Sequence, residues 1–105
     1  MDKKKVINEL SLIIRDRRTR LPDDSYVAKL FKKGKIKIAN KFGEEASETL
    51  TAFLAEGKND LVEESADLIF HLLVLLEYAG ASMDDVLKVL QKRMKNDWYR
   101  KLWQK

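Results

Sequence analysis

The sequence predicts an all-α fold, a helical bundle of about five helices around an antiparallel central hairpin. Three observations carry this. Apolar residues recur at helical spacing along almost the whole chain. Sustained polar–apolar alternation is absent and β-branched runs are short, so no strand is expected. Pro22, Gly34, Gly57 and Gly80 stand between the periodic segments.

The first helix is expected from about Lys3 to Arg18, with Val6, Leu10, Ile13 and Ile14 on one face. It stops near Leu21-Pro22, because a residue before proline disfavours the helical region. Asp23, Asp24 or Ser25 caps a short second helix, Tyr26 to Lys33, which Gly34 ends. A long third helix runs from about Lys35 to Glu56, with Gly43 as a weak point inside it and Gly57 after it. Asn59 or Asp60 caps the fourth, with a capping box formed by Asp60 and Glu63, and the helix runs to Gly80.

The second half of the fourth helix, Leu68 to Leu76, is apolar nearly all round. A helix apolar on every side is buried on every side. One small bundle cannot surround it, so this segment is expected to form the interface of a homodimer. The fifth helix opens at Ser82 with Asp85 three residues on, and Val86, Leu87, Leu90 and Met94 form its stripe.

With 105 residues, one domain is expected, over 1–95, followed by a basic aromatic C-terminal extension, 96–105. The chain has no cysteine, which excludes a disulfide scaffold, a thiolate metal site and a cysteine nucleophile. No apolar run approaches a membrane span, and the first residues lack a signal core. A cytoplasmic protein without membrane contact is therefore expected.

Charge is segregated. Residues 1–41 carry a net +8, residues 42–90 a net −9 and residues 91–105 a net +5, within an overall +4. An acidic middle between basic ends differs from the single-sign surface of a plain nucleic-acid binder. It suits a metal cation beside a polyanionic ligand, although solvated helix faces clustering by sign give the same totals.

The acids of the middle are ordered. Glu45 and Glu48 are three apart on the third helix, as are Glu64 and Asp67 on the fourth. Such pairs share a helix face. Counted from a turn near Lys58, Glu48 and Asp67 fall at nearly the same height of the hairpin. Four carboxylates then converge, and Leu50, Ala66 and Ile69 are expected to place them beside core positions. Clustered like charges call for compensation, and Mg²⁺ or Mn²⁺ matches oxygen ligands. The alternative is an exposed acidic face. Lys37 and Lys41 lead toward these acids at four-residue spacing, where ammonium groups suit phosphate. His71, the single histidine, follows Asp67 by four. Such a residue is more commonly a hydrogen-bonded core histidine than a metal ligand.

These residues resemble the phosphoribosyl-ATP pyrophosphohydrolase family of histidine biosynthesis, within the wider MazG-like all-α nucleotide pyrophosphohydrolases. The wider group's E-x-x-E … E-x-x-D pattern is matched by Glu45, Glu48, Glu64 and Asp67. The narrower family is matched by Ser25-Tyr26-Val27-Ala28-Lys29-Leu30, Gly34, Lys37-Ile38, Lys41-Phe42-Gly43-Glu44-Glu45-Ala46, and Ala66-Asp67-Leu68 with Phe70-His71-Leu72-Leu73-Val74-Leu75-Leu76. Val27, Phe42 and Phe70 stand where the family usually has Thr, Val and Tyr.

The resemblance implies Mg²⁺-dependent hydrolysis of phosphoribosyl-ATP to phosphoribosyl-AMP and pyrophosphate. It implies metal ligation by Glu45, Glu48, Glu64 and Asp67. Glu44 becomes a further ligand or the group that orients and deprotonates water, so Glu44 and Glu45 are the catalytic candidates. Lys37 and Lys41 would meet phosphates, and Ser25, Tyr26 and Lys29 the rest of the substrate. His71 becomes a substrate contact or a support behind the ligands.

Two other readings remain open. One is a MazG-like enzyme acting on nucleoside triphosphates. The other is a non-catalytic nucleic-acid-binding module whose Trp98, Tyr99 and Trp103 stack on bases among Arg100, Lys101 and Lys105. The segregated charge disfavours nucleic acid, and a last turn packed on the bundle or on a dimer partner is the plainer reading of that tail.

Overall fold

A computed structural model describes residues 1–102, and Trp103 and Lys105 of the expected tail lie outside the described residues. A 3-10 turn, Lys3–Lys5, leads into α1 (Val6–Arg20), followed by α2 (Tyr26–Lys33), α3 (Lys35–Ala55), α4 (Lys58–Tyr78), α5 (Met83–Lys95) and α6 (Trp98–Leu102). The helices fall close to their expected places, with a sixth short one added.

Local chemistry explains most boundaries. The Ser25 hydroxyl accepts from the Ala28 N–H and starts α2, and Gly34, at φ +93°, ends it. Ser82 and Asp85 form a complete capping box on α5. Two boundaries differ from expectation. α1 continues two residues further, to Arg20, and closes with Leu21 in the left-handed region at φ +50°. α4 begins at Lys58 with Gly57 as its cap and no side-chain bond, so the Asp60–Glu63 box does not form. Asp60 instead sits in the first turn, where its charge favours the positive end of the helix dipole. Gly43 leaves α3 unbroken.

α3 and α4 pair along their length as the central hairpin. α1 and α2 cover one end of it. Ile14, Val27, Leu30, Ile38, Leu73 and Val74 form the core there, with Phe31 stacked on Tyr78 at 6.1 Å. α1 also grips the C-terminal end of α4. Arg18 donates to the Glu77 carbonyl, and Arg15 and Arg18 approach the Glu77 carboxylate at 3.5 and 3.6 Å. Cations at a helix C-terminus oppose its dipole.

Much apolar surface stays outside this core. In the second half of α4 only His71, Leu73 and Val74 are buried, and Ile69 is exposed. Leu50 and Ala66 are exposed too, so none of Leu50, Ala66 and Ile69 is the core neighbour of the acids that its position suggested. On α3, Phe53 and Leu54 are 69% and 78% exposed. α5 turns away from α4 by 104°, and none of its residues is buried. α6 packs on α5, with Trp98 beneath the Arg93 guanidinium at 5.9 Å. Among the described residues no single helix is long and apolar enough to cross a membrane.

Candidate metal centre

The hairpin brings together Glu45 and Glu48 from α3 and Glu64 from α4, with one carboxylate oxygen of each within 4.8 Å of the others. Thr49 fixes the two helices at that level. Its hydroxyl is shared between the carbonyls of Glu45, at 2.8 Å, and Glu64, at 3.2 Å. Sequence reading missed Thr49; its only signal was its place four residues after Glu45.

Glu45 is 8% exposed. One oxygen of Glu45 and one of Glu64 are buried without a hydrogen-bond partner among the described residues. A buried acceptor left unpaired is costly. Burial, followed by the charge of Glu48, raises the pKa of Glu45 above the usual carboxylate value. Burial raises that of Glu64 as well, followed by the close Glu48 carboxylate. The cluster is therefore held against its own repulsion. An all-oxygen donor set with two orphaned buried acceptors fits a hard divalent cation.

Asp67 lies outside the group of three and is exposed, but its charge contributes to the rise at both Glu45 and Glu64. Lys41 lies along one side. Its ammonium is 3.0 Å from Glu44 and 3.8 Å from Glu45. The hydrogen bond from Lys41 holds Glu44 below the usual carboxylate range, and Lys37 adds to this from one turn earlier. Lys29 is exposed on α2.

Three further expected substrate contacts, Ser25, Tyr26 and His71, already have partners. The Ser25 hydroxyl caps α2. His71, 6% exposed, bonds the Asp67 carbonyl through Nδ1 at 2.7 Å and the Tyr26 hydroxyl through Nε2 at 2.8 Å. Ser25→Ala is expected to lower stability by about 1 kcal/mol, as lost N-caps do. Ser25→Asp, another good cap, restores the melting temperature. If Ser25 is a cap alone, Asp also restores kcat/KM; restored stability with low kcat/KM assigns the hydroxyl to substrate.

An all-α hairpin with acids converging across it places the chain in the class of helical bundles that carry a carboxylate cluster between paired helices. Comparison with known proteins narrows this class. Residues 7–94 match the family described as phosphoribosyl-ATP pyrophosphohydrolase, and the chain belongs to that family. A phosphoribosyl-ATP pyrophosphatase of Metallosphaera sedula is 52% identical over 86% of this chain and 97% of its own length. One of Pyrobaculum arsenaticum is 50% identical over 87% and 97%. The histidine biosynthesis bifunctional protein HisIE of Thermotoga maritima is 48% identical over 83% of this chain, which spans 44% of that protein.

Proposed function

We propose that the chain hydrolyses phosphoribosyl-ATP between its α and β phosphates, giving phosphoribosyl-AMP and pyrophosphate in the second step of histidine biosynthesis. Family membership supports the substrate. The observation that carries the chemistry is the pair of orphaned buried oxygens on Glu45 and Glu64. Glu45, Glu48 and Glu64 would hold Mg²⁺, or Mn²⁺ in its place, with Asp67 completing the set from its exposed position. When bound, the cation supplies Lewis-acid neutralisation of phosphate oxygens and a more acidic water.

The chain's own groups do the rest. Lys41 and Lys37 bind phosphate oxygens, and Lys41 exchanges its hydrogen bond with Glu44 for one with the substrate. Glu44, released from that pair, accepts a hydrogen bond from the attacking water and orients it. The setting is the cytoplasm, as a diffusible nucleotide substrate suits.

Pyrophosphate release from phosphoribosyl-ATP, with and without Mg²⁺, tests the reading. Turnover confined to nucleoside triphosphates would select the MazG-like alternative. Lys41→Ala is expected to lower kcat/KM by roughly 10- to 100-fold, the size of a lost charge-assisted hydrogen bond. Mg²⁺ affinity of the free protein should stay equal or rise slightly. Weakened Mg²⁺ binding with kcat/KM unchanged at saturating metal would mean that Lys41 only positions the carboxylates.

A homodimer is part of the proposal. The chain exposes 8177 Å², whereas a folded monomer of 12.2 kDa exposes about 6,000 Å². Its radius of gyration is 15.7 Å, against about 13 Å for a compact domain of this length. The exposed surface includes apolar side chains along the paired helices α3 and α4, at Leu50, Phe53, Leu54, Val62 and Ile69.

A further inference from the structure

The contact between α2 and α4 fixes where one proton sits. The Asp67 carbonyl can only accept, so the His71 Nδ1 that lies 2.7 Å from it carries hydrogen. In the neutral imidazole Nε2 then holds a lone pair, and the Tyr26 hydroxyl, 2.8 Å away, donates to it. Phe70 and Tyr26 meet the imidazole edge-on, at 5.1 and 5.7 Å between centroids. Tyr26 itself is 45% exposed. With its proton committed to His71, the phenol oxygen keeps lone pairs and has no proton to give.

The charges around that oxygen are those of the candidate metal centre. Burial raises the Tyr26 pKa above the usual phenol value; Lys41 opposes the rise, and Glu45, Glu44 and Asp67 add to it. The phenol is thus neutral at physiological pH and lies beside the groups assigned to metal and phosphate. A phosphate oxygen offers no proton to an acceptor-only group. The nearest donors on a nucleotide cleaved between its α and β phosphates are the hydroxyls of the ribose joined to the α phosphate.

We infer that the Tyr26 oxygen is an acceptor that reads a ribose hydroxyl of the nucleotide, with His71 as the positioning residue that commits the phenol proton inward. The inference rests on the nucleotide reading of the site, and it identifies a specificity contact separate from phosphate and metal.

Calorimetry at pH 8 with Mg²⁺ tests it without requiring turnover, using AMP, 2′,3′-dideoxy-AMP and pyrophosphate as probes. Wild type should bind AMP about 3- to 10-fold more tightly than the dideoxy nucleotide, the size of one neutral hydrogen bond. Tyr26→Phe keeps the ring and should erase that gap while leaving pyrophosphate affinity nearly unchanged; its melting temperature should fall, because the buried His71 Nε2 loses its donor. His71→Asn keeps a donor for the Asp67 carbonyl but falls short of Tyr26, so it should also narrow the gap. His71→Gln reaches Tyr26 and should restore it.

The inference is overturned if wild type shows no measurable AMP binding or no gap. A gap that survives in Tyr26→Phe, or pyrophosphate binding that weakens in step with AMP, overturns it equally. Failure to release pyrophosphate from phosphoribosyl-ATP would instead sink the proposed reaction and leave this contact standing.

Discussion

Glu48→Gln is expected to lower turnover by roughly 100- to 1,000-fold or more while the protein stays folded, a loss comparable to removing a central electrostatic group from an active site. Glu48 is the exposed member of the group of three, and it faces buried Glu45 and half-buried Glu64. Gln keeps its shape and removes the charge that a hard cation requires. In the metal-free protein the change removes one of the charges that raise the pKa of Glu45 and Glu64. The new amide can also donate toward the orphaned oxygens of those residues. The metal-free melting temperature should therefore hold or rise. Adding Mg²⁺ should raise the melting temperature of wild type, since a ligand that binds only the folded state stabilises it. Glu48→Gln should lose most of that shift. Full activity, or an undiminished Mg²⁺ shift, would remove Glu48 from the metal site.

Much of this arrangement is legible in the sequence because it depends on short spacings. Glu45 and Glu48 share a face by being three apart, and counting residues from the turn places α4 opposite them. Caps built from neighbouring residues, Ser25 at α2 and the Ser82–Asp85 box at α5, are equally local. What escaped is of two kinds. The start of α4 could be capped in several ways, and Gly57 took the place offered to Asn59 or Asp60. Long-range partners leave no local trace. The Tyr26–His71 bond joins residues 45 apart in sequence, and Thr49 reaches Glu64 across the hairpin. Spacing alone also put Asp67 level with the other acids, whereas the structure leaves it outside the group of three. The all-round apolar character of α4 was plain, but only tertiary structure separates what this chain covers from what it leaves open.

That open surface leads to the second large expected effect. The chain should sediment as a dimer of about 24 kDa at micromolar concentration, twice the 12.2 kDa of one chain. Phe53 and Leu54 stand well outside the intrachain core. Changing both to Asp therefore leaves the packing of Ile14, Val27, Leu30, Ile38, Leu73 and Val74 untouched. In a symmetric dimer each change occurs twice, so four apolar side chains lose their cover. At about 1.5 kcal/mol or more for each side chain, the dissociation constant should rise by roughly four decades. Obligate interfaces resemble a domain core cut in half, so the separated chain should also melt at lower temperature. Leu72→Asp and Leu76→Asp act differently. Both residues are half-buried within the chain, so a charge there should unfold the protein rather than release a stable monomer. A wild-type chain that sediments as a well-folded monomer at micromolar concentration would overturn the dimer. A Phe53→Asp/Leu54→Asp protein that stays dimeric would move the interface off this face of α3.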